Sequence, residues 1–182
     1  VNMLKKSLLI AALSVASVAQ AAEGYYFGVQ YGKVSLQNVY ETQSGNFDTL
    51  GGSFGYQIND MFGVEVRGQI GSRADSFRDE DDTLISVKLE NNVALVGTLT
   101  APIYGGFSLV SHAGVASSSY YARTSAAGED ISETGLTYGV AGVYNFTDKF
   151  AVTLEASVLP KVKEDGLEND VNAFGLGIKY SF

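Results

Sequence analysis

From Phe174 to Phe182, every second residue is large and apolar or aromatic: Phe174, Leu176, Ile178, Tyr180 and Phe182. Between them stand Gly175, Gly177, Lys179 and Ser181. This period of two describes a β-strand with one greasy face and one small, polar face. A strand at a chain end leaves an open hydrogen-bonding edge unless it is paired on both sides. A closed barrel, in which the last strand meets the first, supplies that pairing and is the expected shape.

The same alternation recurs along the chain. Eight segments carry it, at about 24–36, 47–58, 61–71, 84–100, 105–122, 133–146, 150–160 and 171–182. The apolar parity includes Tyr25, Phe27, Val29 and Tyr31 in the first segment and Leu50, Phe54, Tyr56 and Ile58 in the second. The fourth segment places Ile85, Val87, Leu89, Val93, Leu95 and Leu99 there. Short connections are expected around Asn59-Asp60, Ala101-Pro102 and Thr147-Asp148-Lys149, and longer charged ones at 37–46, 72–83, 123–132 and 161–170. Turns and loops therefore segregate to opposite ends, as in an antiparallel up-and-down barrel.

The second parity decides which face points out. It carries Gly28, Gln30, Gly32, Gly51, Ser53, Gly55, Gly114, Gly139, Gly175 and Gly177, with few charges. A water-exposed face would hold many Lys and Glu. An eight-stranded barrel has an interior that small side chains fill, so the apolar face is expected to meet lipid. The strand charges Glu65, Arg67, Lys88, Glu90, Glu155 and Lys179 all fall on the small parity. A charge on the lipid side would cost about 2–4 kcal/mol for Lys or Arg at mid-membrane. These three acids and three bases are expected to neutralise one another inside. Lys33 is the exception, placed toward the loop end where it can snorkel.

Near the N-terminus, Lys5 and Lys6 precede an apolar run from Leu8 to Val18, which closes on Ala19-Gln20-Ala21. That is the pattern of a secretory signal peptide cleaved after Ala21. The run is shorter than the ~20 residues of a membrane-spanning helix. The expected organisation is a leader at 1–21 and one barrel domain at 22–182. The sequence has no Cys, which excludes disulfides and thiolate chemistry. Its net charge of −8 disfavours nucleic-acid binding. Aromatics gather at the turn end (Tyr25, Tyr56, Phe62, Tyr144, Phe146, Phe150, Tyr180, Phe182) and, at the loop end, at Tyr120 and Tyr121. This is the distribution of an interfacial girdle.

The leader, the eight segments and the ending Gly175-Leu-Gly-Ile-Lys-Tyr-Ser-Phe182 resemble the small outer-membrane barrels of Gram-negative bacteria, OmpA/OmpX-like and opacity-type surface proteins. The resemblance implies an all-β, eight-stranded transmembrane barrel in the outer membrane. It implies contact with outer-membrane lipids and lipopolysaccharide, and recognition of Tyr180 and Phe182 by the barrel assembly machinery. Four loops would face host surfaces or envelope partners, and a monomer is expected. The peptidoglycan-binding domain of the OmpA branch does not carry over to this sequence. A narrow pore is the alternative role; a lipid-A-modifying enzyme and a soluble lipocalin-like carrier rank below it.

No catalytic, cofactor or metal residue is assigned. His112, the single histidine, shares parity with Val110 and Gly114 and is expected inside the barrel, away from lipid A. The acidic run Asp79-Glu-Asp-Asp82 lacks the spaced pattern of a calcium loop and reads as a solvated loop. Gly51-Gly52 and Gly105-Gly106 read as strand glycines rather than phosphate loops.

Overall fold

A computed structural model describes residues 24–39, 43–72, 75–78, 84–123, 128–164 and 167–182. Its elements are β1 (Tyr25–Val39), β2 (Gln43–Gln57), β3 (Phe62–Gly71), β4 (Asp75–Arg78), β5 (Leu84–Tyr104), β6 (Phe107–Arg123), β7 (Gly128–Asn145), β8 (Phe150–Glu164) and β9 (Leu167–Ser181). All pairings are antiparallel, in the order β3-β2-β1-β9-β8-β7-β6-β5, and a β3–β5 pairing closes the ring. The ring has eight strands. The short β4 pairs only with the upper part of β5, above the point where β3 leaves it. Closure leaves no free edge around the lower wall, the requirement for backbone in hydrocarbon.

The expected orientation of the faces holds along most of the wall. Tyr31, Leu50, Leu95, Leu154, Leu176 and Ile178 are more than half exposed, while Gly28, Gly55, Glu65 and Glu155 on the other parity are buried. A water-soluble protein buries its large apolar side chains. This molecule presents them, and lipid is the solvent that suits them. Lys33, on the outer wall, lies directly across the ladder from Asp48, an opposite-charge pair of the kind that stabilises neighbouring strands.

Three short turns close one end. Asn59 Oδ1 accepts from the backbone N–H of Met61 and Phe62 at 2.9 and 2.8 Å. Thr147 Oγ1 does the same for Phe150 at 2.9 Å. These side chains imitate a turn's own hydrogen bonds. The middle turn differs from expectation. Strand β5 runs through Ala101 and Pro102 to Tyr104, and the chain reverses at Gly105–Gly106, with φ of 59° and 84°. Two consecutive left-handed residues make the tight hairpin turn whose twist matches the strands. These glycines are therefore turn residues rather than strand residues. A register shift between Pro102 and Tyr104 accommodates the proline.

At the other end the expected loops are mostly strand. The β1–β2 ladder continues to Val39–Gln43, β6–β7 to Arg123–Gly128 and β8–β9 to Glu164–Leu167. Apart from β3, with 10 residues, the ring strands have 15 to 21 and exceed the ~9–11 needed to cross a membrane. The wall thus rises beyond it as hairpins. Above the membrane neither face need be apolar, so the alternation that marks the strands below fades. The expected leader at 1–21, with Ala19 and Ala21, and the acidic run at 79–82 lie outside the described residues.

Candidate functional site

The lumen holds the chemistry-bearing side chains, and two layers divide it. The layer nearer the turns is charged. Arg67 and Glu65 lie two residues apart on β3 and therefore face the same side. Arg67 Nε donates to Glu65 Oε1. Arg67 Nη1 reaches Glu155 Oε1 at 2.8 Å and lies 3.3 Å from His112 Nε2. Strand β8 stands opposite β3 in the ring. The guanidinium therefore spans the barrel and binds both walls. His112 Nε2 is 4.0 Å from Glu155 Oε1, and the imidazole is fully enclosed.

Lys179 has a partner that the charge pattern does not indicate. Its Nζ sits 4.4 Å from the centre of the Tyr26 ring, a cation–π contact. Tyr26, an inward aromatic that the apolar alternation does not reveal, fits because Gly55 lies beneath it. A Cβ at Gly55 would fall 2.2 Å from Tyr26 Cζ. Gly139 makes the same room for His112, whose Cε1 would be 2.7 Å from an added Cβ. A cavity of about 70 Å³ lies among Tyr26, Gln30, Glu65, Arg67, Gln69 and Lys179. That is room for a few waters.

Of the six expected lumen charges, the structure brings Glu65, Arg67 and Glu155 into one cluster, with Lys179 beside Tyr26 on the same lower level. Glu90 stands apart, higher on β5, at the irregularity between Leu89 and Asn91. The side chain of Lys88 lies outside the described set.

The layer nearer the loops is apolar. Val34, Phe47, Leu89, Tyr120, Leu159, Val171 and Ala173 form one buried cluster. Val34 pairs across the ladder with Phe47 on one side and Ala173 on the other. Beneath it Asn92 Nδ2 donates to Ser118 Oγ at 2.7 Å. Two expectations are corrected here. Leu89, placed with the lipid-facing residues, is fully buried. One extra residue at the β5 irregularity exchanges the two faces, the usual effect of a bulge. Tyr120, placed in the loop-end girdle, is also inside, 3% exposed. Its inward turn follows from the parity it shares with His112, Ala116 and Ser118.

At the turn end the aromatics pack in two groups. Phe146 stacks on Phe150, Phe150 tilts against Tyr180, and Tyr180 meets Phe182 edge-on, with ring centres 6.1, 4.9 and 5.2 Å apart. Tyr25 stacks on Phe54 and tilts against Tyr56. The Phe182 N–H donates to the Tyr25 carbonyl at 3.1 Å, and the Ser181 N–H to that of Lys149 at 2.8 Å. The last two residues thus fasten β9 to both neighbours.

Residues 7–182 match the sequence profile of the outer membrane protein beta-barrel domain family. Solved structures share the fold. Ail, the attachment invasion locus protein of Yersinia pestis, is 18% identical with a TM-score of 0.62, over 88% of this chain and 100% of Ail. OprG from Pseudomonas aeruginosa is 12% identical with a TM-score of 0.60, over 88% and 96%. Neisserial surface protein A is 15% identical with a TM-score of 0.59, over 90% and 100%. No curated relative matches the chain by sequence.

Proposed function

The chain belongs to the outer membrane protein beta-barrel domain family of the Gram-negative outer membrane, and from that premise we propose that it is a sealed, non-enzymatic barrel that works through its outer hairpins. The observation that carries this reading is the filled lumen. The Arg67 cluster ties opposite walls together below, and the buried layer around Phe47 and Leu89 closes the bore above. An ion passing upward would leave charged partners for a layer of aliphatic and aromatic side chains that offers none. The pore reading is weaker for that reason. The His112 side chain is enclosed beside Arg67 and Glu155, which disfavours the enzyme reading.

The outer hairpins carry the interaction role. Ail is known in complex with the heparin analogue sucrose octasulfate. This chain suits a different partner, because Asp79, Glu80, Asp81, Asp82, Glu164, Asp165, Glu168 and Asp170 make its loop segments acidic. Carboxylates repel a polysulfated sugar. They attract basic surfaces, or share divalent cations with lipopolysaccharide phosphates, since Ca²⁺ and Mg²⁺ prefer oxygen ligands. The test is thermal unfolding in lipopolysaccharide-containing bilayers with and without a chelator. Chelation should lower the midpoint of the native chain and leave a variant with Asn or Gln at positions 79–82 unmoved. Equal behaviour of the two would contradict the cation-bridged contact. The signal peptide, the assembly role of Tyr180 and Phe182, and a monomeric state belong to the same proposal.

A further inference from the structure

The two ends of the lumen differ in how far water reaches. Near the turns, the inward residues Gln57, Thr100, Thr153 and Lys179 keep part of their surface exposed. Thr100 stands at the level of the first turn, where its N–H donates to the Met61 carbonyl at 2.7 Å. Near the loops, Val34, Phe47, Thr49, Asn92 and Val171 are buried. The cavity of about 70 Å³ beside Arg67 is lined by Gln57, Thr100 and Lys179 at the turn end and reaches up to Gln69. The buried apolar layer lies above it. This part of the bore is a blind vestibule, open toward the turns.

One cation in the vestibule lacks a close counter-charge. Arg67 takes both carboxylates, Glu65 and Glu155. Lys179 is half-buried, and among the described residues it forms no ion pair. Its ammonium meets the face of the Tyr26 ring instead. An ammonium has three N–H donors, and a ring face satisfies it from one direction only. A charge drawn out of water needs a partner. On the same cavity wall, Thr98 Oγ1 is buried with no hydrogen-bond partner. A cation and an unused hydroxyl therefore line one small polar space. That space is far below the ~300–1,000 Å³ of pockets for organic ligands, so its occupant is close to water in size. Water would hydrate the ammonium; an anion of similar size would also neutralise it. The Arg67 cluster, with two carboxylates to one guanidinium, carries an excess negative charge, so an anion entering from the turns stops at Lys179.

We propose that this vestibule is a binding site for a small inorganic anion, of which chloride is the simplest, held by the Lys179 ammonium and entered from the turn end alone. The Thr98 hydroxyl supplies a second donor on the cavity wall. The site lies at the opposite end of the barrel from the hairpins and is independent of what they bind. It requires no passage through the apolar layer, so it is equally independent of the pore reading.

The sequence has no cysteine, so a single introduced thiol reports on the vestibule. Thr100→Cys places it at the mouth on β5, across the ring from β9 and Lys179. A shift in gel mobility on boiling confirms folding. The variant is then labelled in uncharged detergent micelles with anionic and cationic methanethiosulfonates of similar size. Relative to a free thiol in solution, the anionic reagent should be favoured about fivefold, the ratio given by ~1 kcal/mol of preference. Adding Lys179→Met should abolish the preference, and adding Lys179→Arg should keep it. Replacing gluconate with chloride at constant ionic strength should slow the anionic reagent to a plateau, except in the Lys179→Met background. A thiol that neither reagent reaches would overturn the open mouth, and the site with it. A preference that is absent, or that survives Lys179→Met, would overturn the role of Lys179. Chloride slowing that is absent, or equal in the Lys179→Met background, would overturn the bound anion.

Discussion

The two lumen layers solve one packing problem with opposite chemistry. Near the turns the bore is filled by ion pairs: Glu65 and Glu155 on opposing strands share Arg67. Near the loops it is filled by Val34, Phe47, Leu89, Tyr120 and Leu159. The charged layer is directional. It fixes how β3 stands relative to β8, and it fails badly if one partner is lost. The apolar layer is non-directional and degrades in proportion to the volume removed. In the proposed reading, register is held below and the bore is closed above.

The largest effect should come from breaking the charged layer. Arg67→Met leaves Glu65 and Glu155 facing each other, and loss of one partner of a buried cluster costs roughly 3–5 kcal/mol. Urea unfolding in detergent micelles, followed by gel mobility, measures it. Adding Glu65→Gln and Glu155→Gln should recover much of the loss, because a neutral interior of similar volume needs no counter-charge. If the triple variant is no better than Arg67→Met alone, the layer is not an ion-pair device.

Next comes the apolar layer. Leu89→Ala should cost roughly 2–4 kcal/mol in the same assay, by lost transfer energy and residual cavity. The same change at Leu95, which faces lipid on the same strand, should cost much less. An equal loss at both positions would deny the exchange of faces at the β5 bulge. The smallest effect belongs to Lys179→Met, which removes the cation over Tyr26 and should cost about 0.5–2 kcal/mol. Tyr26→Leu should make Lys179→Met nearly silent, as a double-mutant cycle reads.

Much of the wall was legible in the alternation of residues. The period of two located all eight strands, since lipid on one side and a narrow lumen on the other sort side chains by polarity and size. That signal weakens wherever both faces meet water, so the hairpin extensions of β1, β2, β7, β8 and β9 read as loops. It misleads at a bulge, where Leu89 changes sides without changing its neighbours in sequence. The turn at Gly105–Gly106 was displaced because Pro102 is the stronger punctuation mark, although a register shift lets the strand pass it. Among the site residues, inward parity pointed to Glu65, Arg67, His112 and Glu155, but the pairing of Arg67 with two walls depends on register. Val34, Phe47 and Val171 share their parity with small residues, and an apolar residue on an otherwise small face is the signal that marks the upper layer.

The most direct test of the sealed lumen is single-channel recording of the native protein in planar bilayers. The account predicts no steady conductance above the bilayer background, because the layer around Phe47 and Leu89 closes the bore. Steady openings of the native chain, with an ion selectivity that shifts on Glu155→Gln, would contradict it and make the barrel a pore.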